Sequence, residues 1–176
     1  MRYYDNRKSV LMPILWLSVV GIATIILIVF AAGNAISYNR YCEDYLKRAA
    51  DANTINIAKV ELKKAVDWIE SKNLTSGYTS VLYNTPDEDL GFWYNNLKTS
   101  LNELENFNQV SATPTDKSNQ LIKLRETLLD TTGDGTQITA PAGISRYPNN
   151  TTYMFMTWAV ICGLIIGTIF LLIRID

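Results

Sequence analysis

Apolar and polar positions separate along this chain in whole blocks. No charged residue lies between Lys8 and Arg40, and Leu11 to Gly33 (LMPILWLSVVGIATIILIVFAAG) is apolar almost throughout. A helix rising ~1.5 Å per residue crosses a ~30 Å hydrocarbon core in about 20 residues, so the run predicts a transmembrane helix over 11–33. The pattern returns near the other end, where Tyr153 to Ile173 is again uncharged and predicts a second span over 152–173. Residues 34–151 form one polar excursion between two anchors, with residues 1–10 and 174–176 as short ends.

Within the excursion the periodicity is helical. From Tyr38 to Asn73 there is neither proline nor glycine, and Ile55, Leu62 and Ile69 recur every seven residues with Ala58, Ala65 and Val66 between them. That is a helix seam, serving either the chain's own core or a coiled coil with another chain. Joined to the first span, it predicts a rod of up to ~60 residues, ~90 Å long. A second helix is expected to start at Thr85, with Pro86 in the first position and Glu88 closing a capping box, and to run to about Phe107 along Leu90, Tyr94, Leu97, Leu101 and Leu104. Phe92 and Trp93 fall beside that stripe. A third helix opens at Thr113, Pro114 and Asp116 and continues to about Asp130, burying Leu121, Leu124 and Leu128. Residues 73–84 read as a loop with a short strand near Ser80 to Tyr83. Residues 131–150, rich in Gly, Pro, Thr and Asn, cannot extend a helix; at ~3.3 Å per residue they reach ~66 Å, enough to return along the bundle with Ile138, Pro141 and Ile144 facing inward. The expected fold is thus an all-α membrane protein. Two transmembrane helices flank an extracytoplasmic three-helix antiparallel bundle, completed by an extended return segment.

Composition narrows the chemistry. Residues 34–152 hold 12 Lys or Arg against 15 Asp or Glu without blocks, so no basic face for nucleic acid is expected. The chain has no histidine, which removes the commonest general base and metal ligand. Asp130, Thr132, Asp134 and Gly135 imitate the start of a calcium loop, but its twelfth position is Pro141 where glutamate is required. Asp87, Glu88 and Asp89 fall where carboxylates offset a helix dipole. Asn73-Leu74-Thr75 and the triplets from Asn149 match glycosylation acceptors, which matter only in a eukaryote. No catalytic, cofactor-binding or metal site is expected, and no cofactor. Cys42 and Cys162 lie at different depths and should not pair.

The spans carry the interaction signals. Gly163 and Gly167, four apart, present a bare face to another helix, either Gly21 and Ala23 of the first span or a second copy. With Gly163 and Gly167, the seam residues Ile55, Leu62 and Ile69 complete the expected helix–helix interface. Trp16, Trp158 and Tyr153 suit interfacial depths. Arg2, Arg7 and Lys8 lie close to the first span and predict both termini in the cytoplasm, with residues 34–151 periplasmic or extracellular and the protein in the plasma (inner) membrane. A cleaved signal peptide fits less well, since the apolar run exceeds the length of a signal core. No charge interrupts either span, which argues against a proton relay. After Ile173 only Arg174, Ile175 and Asp176 follow, so no cytoplasmic output domain is expected.

The plan of span, external helices and span is similar in layout to the sensory half of bacterial chemoreceptors and sensor kinases, though their long signalling helices do not follow here. LemA-type proteins share an anchored helical bundle but typically have a single N-terminal span. Neither likeness covers a motif or transfers a residue. The expected function is non-enzymatic: a structural or accessory subunit, partnered by the lipid bilayer and by itself or other membrane subunits. A ligand-sensing module and a small pore or lysis regulator are the alternatives.

Overall fold

The computed structural model describes residues 2–80, 84–132, 135–145 and 150–175. The chain is 76% helical, and its only described sheet is one two-stranded hairpin, so packing is chiefly helix on helix. Contacts divide it into two units, Met1–Gly33 with Thr151–Asp176, and Asn34–Asn150.

The first unit contains most of α1 (Arg2–Tyr38) and α6 (Asn150–Ile175). Both are long and apolar enough to cross a membrane. The helix begins at Arg2, well before the apolar run, which leaves Pro13 inside it; proline there removes one hydrogen bond to the preceding turn. Phe30 and Tyr153 rings lie 5.8 Å apart, and Val20 faces Gly163. Ten residues back along α1 therefore match ten forward along α6, and the two helices run antiparallel. Most of their large side chains are exposed, including Ile25, Val29, Ile165 and Phe170.

The second unit departs from the expected rod. α1 passes into a π-helical turn, Asn39–Glu43, then α2 (Asp44–Ala50), and the chain breaks before α3 (Ile55–Ser71). Buried Tyr38, Cys42 and Leu46 step by four. Two such steps would carry an α-helical stripe ~80° around the axis at ~100° per residue, and the wider π turn takes up part of that drift. The break falls in Asp51-Ala52-Asn53-Thr54, whose short polar side chains compete with helical backbone bonding. Thr54 becomes the N-cap of α3, its hydroxyl accepting from Ile57 N at 3.3 Å. The predicted rod is continuous only as far as Ala50; beyond the break its remainder is α3, which packs against α2.

α3 ends in a left-handed turn at Asn73 (φ 56°), with Leu74 N donating to Ile69 O and Asn73 N to Glu70 O, both at 3.0 Å. This arrangement satisfies the last carbonyls and tucks Leu74 into the core. The start expected at Thr85 is a single 3-10 turn, Pro86–Glu88, pinned by the bridge between Tyr78 and Asp89. α4 (Leu90–Asn106) has its own N-cap, Asp89, whose carboxylate accepts from Phe92 N. α5 (Pro114–Leu128) has the full capping box of Thr113 and Asp116 and ends two residues early. The strand expected near Ser80 to Tyr83 lies largely outside the described residues.

The return segment is extended only in part. β1 (Leu129–Thr132) pairs antiparallel with β2 (Gly135–Ile138). Residues 139–145 are then stitched to the start of α4: Trp93 Nε1 donates to Thr139 O at 2.7 Å, Thr79 Oγ1 to Ala142 O at 2.5 Å, and Ala142 N to Asp87 O at 3.3 Å. Ile138 is half-buried, and Pro141 and Ile144 are buried. The core of this unit is centred on α3, which packs against α2, α4 and α5.

Candidate functional site

The sequence-derived interface residues fall into two separate places. Ile55, Leu62 and Ile69 are at most 2% exposed, inside the core of the second unit. These seam residues join α3 to its own chain's helices. Gly163 and Gly167 are buried in the first unit. A Cβ on Gly163 would stand 3.0 Å from Val20 Cγ2, and one on Gly167 2.7 Å from Leu17 Cδ2 and 2.8 Å from Trp16 Cδ1. The glycine face is thus filled by Trp16, Leu17 and Val20 rather than by Gly21 and Ala23; Gly21 has open space beside it. Trp16 donates its indole N–H to Gly163 O at 2.9 Å.

Cys42 is fully buried and Cys162 exposed, both as free thiols. Burial, then the neighbouring Glu43 charge, push the Cys42 thiol far above its usual range, and burial raises Tyr38 as well. A disulfide between chains through Cys42 is blocked by this burial. Of the calcium-like residues, Asp130 and Thr132 lie on β1 and Gly135 on β2, while Asp134 falls outside the described residues. Among the described residues no group of three metal-ligating side chains assembles. In the acidic triplet, Asp89 caps α4 and Glu88 accepts from the Thr85 hydroxyl.

Sequence reasoning overlooked Glu61, which is 4% exposed on the inner face of α3. Lys64 Nζ donates to its Oε1 at 2.8 Å. Arg48 Nε from α2 stands 3.0 Å from Oε2, but out of line, so that oxygen accepts no hydrogen bond. Both cations also lie near the Tyr45 ring, at 5.8 Å for Arg48 and 5.1 Å for Lys64. The signal was available: position 61 is three after Ala58 and four before Ala65, on the apolar face.

Several concavities are formed by the described residues of the second unit. One of about 130 Å³ is lined by Asn34, Ser37, Tyr38, Trp68, Lys72, Leu74 and Ile144. Beyond Tyr38 and Ile144 lies another of about 280 Å³, where Glu43 and Lys47 face the segment from Thr136 to Ser145. A wide, open one of about 660 Å³ lies over Phe107, Asn108, Asp116, Asn119 and Lys123. Compared with known proteins, the chain matches no family model, no curated protein and no solved structure.

Proposed function

We propose that the protein is a non-enzymatic, two-span subunit of a membrane assembly, with its helical domain outside the cytoplasm and both termini inside. The observation that carries this reading is the combination of an internally closed helix pair with unpartnered apolar side chains on the folded domain. Val110 is 99% exposed, Phe92 66% and Ile122 51%, and docking to another subunit would remove that apolar surface from water. The antiparallel run of α1 and α6 supports termini on one side. The occupied face of Gly163 and Gly167 weighs against self-association through that face, and so against the pore reading. Native mass spectrometry of particles extracted in mild detergent tests the proposal: a defined multimer or a constant set of other chains supports it, and a lone monomer overturns it.

One observation favours a second reading as a ligand-sensing module. The cavity of about 280 Å³ has a charged wall, Glu43 and Lys47, on the π turn and α2, and π-helical insertions often accompany binding sites. A ligand there would bear on the helix that continues into the first span.

A further inference from the structure

We propose that the cavity between Tyr38, Trp68 and Lys72 holds the phosphate-bearing headgroup of a membrane lipid. The inference rests on the reading that α1 and α6 span a bilayer. α1 runs unbroken to Tyr38, so Asn34 and Ser37, which help line this cavity, follow the span's last residue, Gly33, by one and four positions. That is at most ~6 Å of helical rise, and the headgroup layer is ~5–8 Å deep on each side. Chain connectivity alone therefore keeps these residues at headgroup depth.

The lining has the chemistry for such a group. Trp68 and Ile144 supply apolar wall, and Asn34, Ser37 and Lys72, whose side chains carry an amide, a hydroxyl and an ammonium, line the same space. Lys72 is exposed and forms no ion pair among the described residues, so its charge is open to an anion. At ~30 Å³ per water the cavity admits about four waters' worth of ligand, suiting a phosphate and the carbons beside it, with the acyl chains left in the bilayer. Trp and Lys are side chains that settle at this depth, with an apolar body and a polar tip.

The test uses the full chain in nanodiscs of phosphatidylglycerol and phosphatidylcholine, with native mass spectrometry after the disc is removed. Wild-type protein should retain one phospholipid per chain, the anionic phosphatidylglycerol in preference to the zwitterionic phosphatidylcholine. Lys72→Glu should lower that occupancy at least tenfold with an unchanged melting temperature, while Lys117→Glu on α5 should leave it intact. Equal retention by the two variants would overturn the proposal. Displacement of the lipid by millimolar inorganic phosphate would also overturn it, in favour of a site for the free anion. Failure of the wild type to enter discs at all would overturn the spanning reading beneath it.

Discussion

The indole N–H of Trp16 donates to the backbone carbonyl of Gly163 at 2.9 Å, tying α1 to α6 beside the close contact that Gly167 makes with Leu17 and Trp16. Interhelical hydrogen bonds of this kind average ~0.6 kcal/mol in bilayers and reach ~1.7 kcal/mol. Trp16→Phe should destabilise the helix pair by about that amount. Gly167→Val should cost more, ~1–3 kcal/mol, because its branched side chain enters space held by Leu17 and Trp16. Gly21→Ala, with nothing within 4 Å of the added carbon, is the control and should be neutral. Unfolding in mixed detergent micelles measures all three; a Gly167→Val protein as stable as wild type would mean the helices do not meet there.

Glu61 makes a different kind of contact, a buried carboxylate between two exposed cations. Arg48 and Lys64 side chains are 63% and 45% exposed, so solvent screens each pair and either single alanine variant should cost ~1 kcal/mol or less. Removing both leaves a buried charge without a counter-ion. The double variant should therefore lose ~3 kcal/mol, more than the sum of the singles. Glu61→Met, which removes the buried charge itself, should stay within ~1 kcal/mol of wild type. Urea titration of the full chain, followed by tryptophan fluorescence, distinguishes these outcomes.

Long-range features of the fold were legible where one strong pattern dominated. The two apolar runs, the Thr113 capping box and the inward positions Pro141 and Ile144 all appear as the sequence implies. The misses have local causes. At Asp51 to Thr54 a helix ends without glycine or proline, by side-chain competition that is weak in sequence and decisive once α2 can pack on α3. At Thr85 the capping residues form a real turn, but the bridge from Tyr78 to Asp89 stops it from propagating. The π turn has no sequence signature beyond the four-residue spacing of Tyr38, Cys42 and Leu46. The cavity at Lys72 was invisible because its walls come from the end of α1, the end of α3 and Ile144 of the return segment, positions up to 110 residues apart in sequence.

Acid should loosen the second unit through two lysine-bound carboxylates. Hydrogen bonds from Lys98 and Tyr94 hold Glu70 below its usual value of 4.5, and those from Lys123, with Gln120, do the same for Glu103. A carboxylate whose folded pKa is depressed stabilises the fold above its unfolded pKa, and that contribution is lost as pH falls through the folded value. Stability should thus be flat from pH 6 upward through neutrality and decline below about pH 4.5. Both carboxylates are half-buried beside exposed lysines, so solvent screens them and the effect is modest. A Glu70→Gln, Glu103→Gln double variant should show a shallower acid decline in melting temperature than wild type; an unchanged profile would assign the acid sensitivity to other groups.

Cys42 offers a direct measure of how firmly the π turn is held. Its thiol is fully buried, and burial together with the Glu43 charge keeps it protonated well above the usual thiol range. Because the thiolate is the nucleophile, the folded protein should resist alkylation, and labelling should proceed through opening of the region around Tyr38 to Leu46. In a Cys162→Ser background, a water-soluble maleimide at pH 8 should react with the folded protein at least a hundredfold more slowly than with protein unfolded in dodecyl sulfate. The raised thiol and Tyr38 hydroxyl also set an alkaline limit. Each binds its proton more tightly folded than unfolded, so stability is complete below the unfolded pKa and falls as pH rises above about 9. Labelling should therefore accelerate above that pH by more than thiol ionisation in the unfolded state accounts for. Fast labelling at neutral pH would instead show that the π turn from Asn39 to Glu43 opens readily.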